Sequence, residues 1–442
     1  MSTPIIPTLH APATELNNRR TINAWALFDW ANSSFALVII VAIFPGYFLA
    51  VTDDIVHIGR LTLSDGALYS YAISAAYLLI LIASPFLSGI ADYGGRKKFF
   101  LRGFTTIGSL ACISLYFFKG MDQLTLGTVS FIMATIGFAG GLVFYNAYLP
   151  LIATEDQYDR VSAKGFAYGY IGSVILLITN LIVIQKYQWF GLSGEGPAVR
   201  IAFVMVGMWW LGFAQIPFRR LPPDSKEKSK ENLLLKGVQE LKKVWHQLQS
   251  LKHTKRFLIA FFFYSTGVQT VLFLAAIFAE KELGFATSDL ILLILLLQIV
   301  AIGGAYLFAK ISNLRGNKFS LILMLIIWTA ICGLAYFIYS KPSFYLLAVG
   351  VGIVMGGIQS LSRSTYSKLL PENTKDTTSF FSFYDVLEKS AIIVGTFSFG
   401  FIEQITGSMR NSVLALSLFF IAGLLTLSTV YIQHKKEGAL SA

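Results

Sequence analysis

The amino-acid sequence predicts an all-α membrane protein in which twelve transmembrane helices form two six-helix bundles. Of the 442 residues, 55% are hydrophobic and only 13% are charged, whereas a soluble domain has roughly 25% charged residues. Twelve stretches are long and apolar enough to cross a bilayer, and six lie on each side of the longest polar stretch, 219–255. This composition excludes a disordered chain and a soluble multidomain enzyme.

Each predicted span has the ~20 mostly apolar residues that a helix needs to cross ~30 Å of hydrocarbon. Glycines and aromatic residues interrupt the runs without strict alternation, which favours helices over barrel strands. The predicted spans are 23–49, 67–90, 99–118, 124–149, 163–185, 199–218, 256–280, 287–309, 319–339, 343–367, 379–402 and 410–432.

The basic residues predict the orientation of these spans. Of the 35 Lys and Arg residues, 27 fall in segments on one side, seven fall on the other, and Lys389 lies inside a span. The positive-inside rule therefore places both termini in the cytoplasm, and we expect a bacterial inner membrane. The net charge of +11 is then inner-leaflet charge facing anionic lipid, so no nucleic-acid partner is expected.

The polar stretches divide the chain into five parts. These are a tail (1–22), a first six-helix bundle (23–218), a linker (219–255), a second bundle (256–432) and a second tail (433–442). Apolar residues recur in the linker at the 4-3-4-3 spacing of one helix face, which predicts an amphipathic helix on the membrane surface, or alternatively a coiled-coil partner helix. They are Leu234, Val238, Leu241, Trp245 and Leu248.

A short loop pattern occurs twice. Asp92-Tyr-Gly-Gly95-Arg96-Lys97 follows the second span, and Asn313-Leu-Arg-Gly316-Asn-Lys318 follows the eighth, at an offset of 221 residues. The same offset takes Pro150 to Pro371. A duplicated half with a central inner loop is the organisation of alternating-access transporters.

The first loop, from Ser88 and Gly89 to Lys97, resembles the loop motif G-x-x-x-D-R-x-G-R-K of the major facilitator superfamily, with Ser88 and Tyr93 as its two departures. Five other segments resemble the "unknown major facilitator" family, which includes vacuolar autophagy-related amino-acid effluxers. These segments begin at Asn23, Phe144, Arg160, Gln359 and Phe381.

This resemblance implies the major facilitator fold and solute transport, with amino-acid export known for fungal relatives. It also implies that Asp92 meets the start of the eleventh span as part of an inner gate. We expect Arg96, Lys97 and Lys98 to form a latch with Asp92, and an ordinary inner charge cluster is the alternative.

Ionisable side chains inside spans are candidates for function, since each costs ~2.5–3.5 kcal/mol to insert. Asp29 lies in the first span with Asn32 three residues further on, so the pair can offer a carboxylate and an amide to a solute, or Asp29 can bind a proton. The alternative is that Asp29 is permanently paired with a cation or caps a neighbouring helix. In the eleventh span, the spacing puts Asp385 beside Glu388 and Lys389.

Lys389 lies near the predicted bilayer centre and needs a partner or an aqueous cavity. It can receive a substrate carboxylate or be neutralised by its carboxylate neighbour. For Arg363, with Gln359 one turn earlier, we expect an arginine that reaches the headgroups, and carboxylate binding is the alternative. Tyr145 and Asn146 are predicted gate or cavity groups, and Asn146 serves equally well as contact between helices.

We therefore expect a secondary transporter rather than an enzyme. It works by alternating access as a monomer in the lipid bilayer, is coupled to protons, and exports an amino acid or a similarly small zwitterion. Uptake of a sugar or organic anion, and a non-transporting sensor or scaffold, are the alternatives. No cofactor or metal is expected, because all five histidines fall outside the predicted spans and no phosphate-binding loop pattern is present.

Overall fold

The computed structural model describes residues 16–58, 61–224, 233–372 and 374–432. Most of the predicted first tail, linker residues 225–232 and the second tail lie outside the described residues. The twelve long helices are α1 Arg19–Val51, α2 Asp65–Tyr93, α3 Lys97–Ser114, α4 Leu124–Asn146, α5 Tyr158–Gln185, α6 Glu195–Arg220, α7 Lys252–Leu283, α8 Thr287–Arg315, α9 Asn317–Tyr336, α10 Lys341–Lys368, α11 Thr377–Thr406 and α12 Met409–Ser428.

These helices correspond one to one with the twelve predicted spans, and the predicted fold class is confirmed. Eleven of them are apolar enough to cross a membrane by length and composition alone. The remaining helix, α11, is 30 residues long and carries Asp385, Glu388 and Lys389 near its middle. Its charged residues therefore lie within a helix long enough to span a membrane. Whether they pair with each other or bind a solute depends on the side chains around them.

Helices α1–α6 form the first half of the molecule and α7–α12 form the second. In the first half α1 packs on α5 and α6, and α3 packs on α4. In the second half α7 packs on α11 and α12, and α8 packs on α10. The halves meet where α5 contacts α8 and α10, and where α2 and α4 contact α11. The polar side chains described below lie along this interface.

Helix α1 is irregular in its middle. Residues Ala36–Ile43 are π-helical, and the Phe44 N–H donates to the carbonyl of Ile39, five residues back. In the same pattern the next donor to the Ile40 carbonyl would be Pro45, which has no N–H. The Tyr69 hydroxyl of α2 donates to the Ile40 oxygen instead, at 3.0 Å. The carbonyl that proline leaves unpaired is thus satisfied by a neighbouring helix.

The two ends of the bundle differ. One end carries the loop after Asp92, the loop before Asn317 and the segment from Leu369 to Thr377; we call it the basic end. The first and the last of these three segments line one surface depression together with neighbouring lysines. The opposite end carries a two-stranded antiparallel hairpin, β1 Ile55–Ile58 and β2 Leu61–Ser64, with Ile55 opposite Ser64.

A further helix, Leu233–Ser250, lies at the basic end between the halves; we call it the linker helix. It packs against α2 and touches α11. Its buried residues Gly237, Val244 and Leu248 face the protein, whereas Trp245 is 49% exposed. This helix packs onto the ends of two spans, so part of its apolar face contacts protein, and its predicted position on the membrane surface stays a prediction.

Two contacts tie the linker helix to the start of α11. The Trp245 ring lies 5.6 Å from that of Phe383. Lys243 donates to Asp376 at 2.8 Å and to Glu240 at 2.6 Å. Both hydrogen bonds raise the pKa of Lys243, and the one to Asp376 has the larger effect. A chain that leaves the first half therefore contacts the second half before it enters α7.

Candidate functional site

A central cavity of about 340 Å³ lies between the halves. Residues from α1, α2, α4, α5, α7, α8, α10 and α11 line it. Its polar and charged lining residues are Asp29, Ser33, Tyr77, Asn146, Tyr170, Ser173, Tyr264, Ser265, Gln269, Gln298, Gln359, Ser362, Arg363, Tyr384, Glu388 and Lys389. Both halves contribute at least one carboxylate or cation.

Asp29 lies on the wall of this cavity and is only 4% exposed. Its Oδ2 atom accepts a hydrogen bond from the Tyr145 hydroxyl at 2.7 Å. The same oxygen lies 3.4 Å from Nη1 of Arg363, which forms an ion pair between the halves. In this state Asp29 is held by a cation, which is the alternative that the sequence left open.

Arg363 is 2% exposed and lies at the interface of the halves. It donates to the backbone oxygen and to the hydroxyl of Ser162, both at 2.9 Å, and to Asn146 at 3.2 Å. The rings of Phe166 and Trp25 lie 4.3 and 4.7 Å from its guanidinium carbon. The expectation that Arg363 reaches the headgroups is wrong, because its partners on α1, α4 and α5 hold it inside the protein.

Gly165 leaves room for this ion pair. A Cβ atom at Gly165 would lie 2.8 Å from Nη2 of Arg363 and 2.9 Å from Oδ2 of Asp29. Any larger residue would push against both charged groups. The α5 backbone therefore comes close to them because position 165 has no side chain.

Asn32 does not join Asp29 in the cavity. The lining side chains of α1 include Asp29, Ser33 and Leu37, which lie one above the other on a helix face. Asn32 is fully buried, and among the described residues neither of its amide atoms has a hydrogen-bond partner. Asn32 is not among the residues that line the cavity, so the predicted Asn32 contribution to a solute site is not seen in this state.

One turn before Arg363, Gln359 links the halves a second time. Its side-chain oxygen accepts from the Tyr170 hydroxyl at 2.5 Å. Close by, the Ser162 hydroxyl lies 2.7 Å from the Ser360 carbonyl and donates to it. Sequence reasoning did not single out Tyr170 or Ser162 as site residues, although both lie in the segment that begins at Arg160.

The charged residues of α11 have separate partners. Lys389 forms an ion pair with Asp385, and both are buried. Glu388 accepts instead from the Gln269 amide of α7, at 3.1 Å. The structure thus brings Asp385 and Lys389 together as their spacing indicated, while it turns Glu388 toward Gln269, which the sequence analysis overlooked.

At the basic end, Asp92 joins the first half to α11, and we call these contacts the first connection. Its carboxylate accepts from the backbone N–H of Ser379 at 2.6 Å and of Thr378 at 3.3 Å. Lys97 lies 3.2 Å from Asp92 and donates to Thr377 at 2.6 Å. Asp92 therefore occupies the place at the start of α11 that the resemblance implied.

The neighbouring basic residues do not share this contact. Arg96 is exposed, and Lys98 donates to the Leu221 carbonyl at the end of α6. Of the three residues expected to form a latch, Lys97 is the one whose contacts to Asp92 and α11 the structure gives. Gly95, at φ 58°, supplies the left-handed turn between α2 and α3.

Gly89 brings the linker helix onto this loop. A Cβ atom at Gly89 would lie 2.3 Å from the Gly237 carbonyl oxygen of the linker helix. The two backbones therefore touch where both residues are glycine. This contact places the linker helix directly behind Asp92.

The second loop makes a different set of contacts, which we call the second connection. Asp159, in the first turn of α5, accepts from Ser312 and Lys368 at 2.8 Å each, and from Asn317 at 2.8 Å. Gly316, at φ 85°, makes the turn between α8 and α9. Lys318 donates to Ser428 within the second half, so unlike Lys97 it does not cross the interface.

The second connection was missed at the sequence level. Asn313 is the residue that matches Asp92, yet the carboxylate comes from Asp159 on the other side of the interface. Asp159 directly precedes the segment that begins at Arg160, and Lys368 lies five residues after Arg363. The sequence could have pointed to Asp159 and Lys368 because each lies close to a residue that had already drawn attention, Arg160 and Arg363.

Within the described ranges, no group of three or more His, Cys, Asp or Glu residues could hold a metal ion. Both cysteines, Cys112 and Cys332, are buried and unpaired. The site therefore consists of a polar cavity, ion pairs that cross the interface, and two loop connections at the basic end.

Comparisons with known proteins agree with this arrangement. The family model described as "Vacuole effluxer Atg22 like" matches residues 17–440. The uncharacterized MFS-type transporter YxiO of Bacillus subtilis is 30% identical over 410 residues, which is 92% of this chain and 94% of the relative. Autophagy-related protein 22 of Kluyveromyces lactis is 27% identical over 412 residues, covering 85% of this chain and 81% of that protein.

Solved structures show the same fold. The major facilitator transporter FucP in its outward conformation superposes with a TM-score of 0.71 at 12% identity, covering 94% of this chain and 98% of that one. The human organic anion transporter MFSD10 gives 0.66 at 11% identity, covering 93% and 100%. The chain is thus a multi-pass secondary transporter of the major facilitator fold, and it belongs to the Atg22-like effluxer family.

Proposed function

We propose that this protein exports an amino acid or a similarly small zwitterion from the bacterial cytoplasm by alternating access, coupled to protons. One observation carries the proposal: the cavity between the halves presents carboxylates and cations from both halves, Asp29 from the first and Arg363, Glu388 and Lys389 from the second. A zwitterion has one group for each kind of partner. The effluxer description of the matching family supports the export direction.

The contacts at the basic end support a cycle with two alternating states. Asp29–Arg363 joins the halves at the cavity wall, and the first and second connections join them at the basic end. These contacts must separate before the cavity can open at that end. The positive-inside count makes the basic end the cytoplasmic side, so the described state has its cytoplasmic side closed.

Two features support ion coupling and transport over a scaffold role. The cavity and its adjoining ion pairs hold three carboxylates, Asp29, Asp385 and Glu388, against two cations, Arg363 and Lys389, and one negative charge in excess favours binding of a proton or of a substrate ammonium. The linker helix buries Val244 and Leu248 against the transporter, so these apolar residues are not free to bind a partner.

Counterflow in proteoliposomes tests the proposal. Vesicles are loaded with a pooled amino-acid mixture, and uptake of labelled amino acids is compared between wild type and Lys389→Ala. The matched control is Lys281→Ala, whose side chain is 62% exposed at the end of α7. We expect exchange by wild type and by the control, and its loss in Lys389→Ala.

The other outcomes are equally informative. Equal exchange by all three proteins would keep the amino-acid substrate and remove Lys389 from the transport pathway. No exchange by folded wild type would contradict the amino-acid substrate, and labelled sugars and organic anions would then be tested in the same vesicles.

A further inference from the structure

The carboxylates at the cavity differ in their partners. Asp29 has the Tyr145 hydroxyl and the Arg363 guanidinium, and Asp385 has the Lys389 ammonium. Among the described residues, Glu388 is hydrogen-bonded to a neutral group, the amide of Gln269. A carboxylate without a bonded cation at membrane depth is the most costly of the three to keep charged.

The surroundings of Glu388 contain both signs of charge and several hydroxyl groups. Lys389 and Asp385 flank it on α11, and Arg363 acts on it from α10. The cavity wall that contains Glu388 also carries Tyr77 of α2, Tyr264 of α7, Arg363 of α10, and Tyr384 and Lys389 of α11, and Asp385 is paired with Lys389. Because Asp385 and Asp29 already neutralise the two cations, a proton is what Glu388 needs for charge balance.

Gln269 is suited to both protonation states of Glu388. An amide can donate its N–H to a carboxylate, and after rotation its oxygen can accept from a protonated carboxyl group. The two residues lie on α7 and α11, which pack together within the second half. The hydrogen bond can therefore persist while the halves move relative to one another.

Helix α11 links this site to the basic end. Ser379, which Asp92 holds by its backbone N–H, lies nine residues before Glu388, or about 13 Å along the helix. The same rigid element therefore carries the carboxylate that lacks a cation and one of the contacts that keep the basic end closed. Protonation of Glu388 and the contact with Asp92 can therefore both shift the equilibrium between the closed and open states through α11.

We propose that Glu388 carries the coupled proton and that Gln269 is its positioning residue, an inference that rests on the proposed transport function. The Glu388 carboxylate takes a proton from cavity water in the state closed at the basic end, forming an O–H bond. The bond breaks in the state open at that end, and the proton passes to water there. The Asp385–Lys389 ion pair takes no part in this proton transfer.

The first test does not depend on the substrate. Infrared difference spectra of proteoliposomes are recorded between acid and alkaline pH for wild type, Glu388→Gln and the control Glu403→Gln, which lies at the far end of α11 with a partly exposed side chain. We expect a protonated-carboxyl band in wild type and in the control that is missing in Glu388→Gln. An unchanged band in Glu388→Gln would overturn the proposal.

The second test uses transport itself. The ratio of proton-gradient-driven transport to counterflow is measured for the same three proteins and for Asp29→Asn. We expect this ratio to fall at least about tenfold in Glu388→Gln, because counterflow needs no net proton movement. A wild-type ratio in Glu388→Gln, or a comparable loss in Asp29→Asn alone, would place the proton elsewhere.

The variant Gln269→Leu tests whether Gln269 positions the Glu388 carboxyl group or only supports the structure. It also replaces Glu388→Gln in these tests if that variant does not fold. The amide N–H stabilises the charged carboxylate more than the amide oxygen stabilises the protonated form, because hydrogen bonds to charged groups are the stronger ones. Removal of the amide should therefore move the midpoint of the pH profile of transport upward by about one pH unit. A purely structural residue would lower the rate without moving the midpoint. If wild type moves no amino acid, the infrared result still decides on Glu388 while the substrate assignment fails.

Discussion

The two connections at the basic end come from duplicated loops, yet they use their charges differently. In the first, the loop supplies the carboxylate, Asp92, and the second half supplies backbone N–H groups at the start of α11. In the second, the loop region supplies Ser312 and Asn317, and the carboxylate comes from Asp159 on α5. In both cases the carboxylate belongs to the first half.

The two loops therefore share the turn and differ in their chemistry. Gly95 and Gly316 both have positive φ values and turn the chain between neighbouring helices. In the first connection Asp92 is bound by a helix N-terminus, with its partial positive charge, and by Lys97, whose side chain is 13% exposed. The second relies on a buried ion pair between Asp159 and Lys368, whose side chains are 7% and 8% exposed. We expect the second to be the more sensitive to loss of its carboxylate.

Asp159→Ala should have the largest effect on the stability of the closed state. It leaves the Lys368 ammonium buried without its carboxylate partner, which costs about 3–5 kcal/mol. Thermal unfolding in detergent measures the loss, with Asp53→Ala, an exposed residue near the hairpin, as the control. A loss below about 1 kcal/mol would show that the ion pair contributes little.

Gly237→Leu should have an intermediate effect, confined to the first connection. A Cβ atom at Gly237 would lie 2.6 Å from Cγ1 and 2.9 Å from the backbone nitrogen of Ile90, so the linker helix must move away from α2. Such overpacking costs about 1–3 kcal/mol. Gln239→Leu, at an exposed position of the same helix, is the control in the same unfolding assay; equal values for the two variants would mean that the close contact is not needed.

Asp92→Asn should have the smallest effect. The substitution removes the ion pair with Lys97, but Lys97 is partly exposed and keeps its hydrogen bond to Thr377. Because the asparagine oxygen still accepts from the Ser379 N–H, we expect a loss of about 1 kcal/mol. Raising the salt concentration should change this loss little, because the Asp92 side chain is fully buried. A larger loss than that of Asp159→Ala would reverse the proposed order of the two connections.

Much of the fold follows from local sequence properties, and much of the site does not. Span positions depend on runs of apolar residues, and the Asp385–Lys389 pair depends on helical spacing, so both can be predicted from the sequence. The contact of Asp92 with α11 was available through a family motif. The surroundings of Arg363 depend on how α1, α4 and α5 meet α10, residues more than 200 positions apart.

Asp159 is a second residue whose role could not be predicted from the sequence. Comparing the duplicated loops directs attention to Asn313, because repeated positions are expected to repeat their roles. The carboxylate that completes the second connection lies across the interface, and the offset between the repeated loops does not identify it. Pairing across an interface between halves becomes visible only when the halves are assembled.

The π-helical part of α1 has a mechanical consequence. Since Pro45 cannot donate to the Ile40 carbonyl, α1 lacks one rung of its own ladder at this point, and Tyr69 supplies the missing hydrogen bond from α2. The end of α1 after Phe44 is thus hydrogen-bonded to α2 at the point where α1 has one fewer backbone hydrogen bond. Bending of α1 at this point would lengthen that side-chain hydrogen bond and keep the other backbone hydrogen bonds. We therefore expect the segment after Phe44 to change its tilt together with α2.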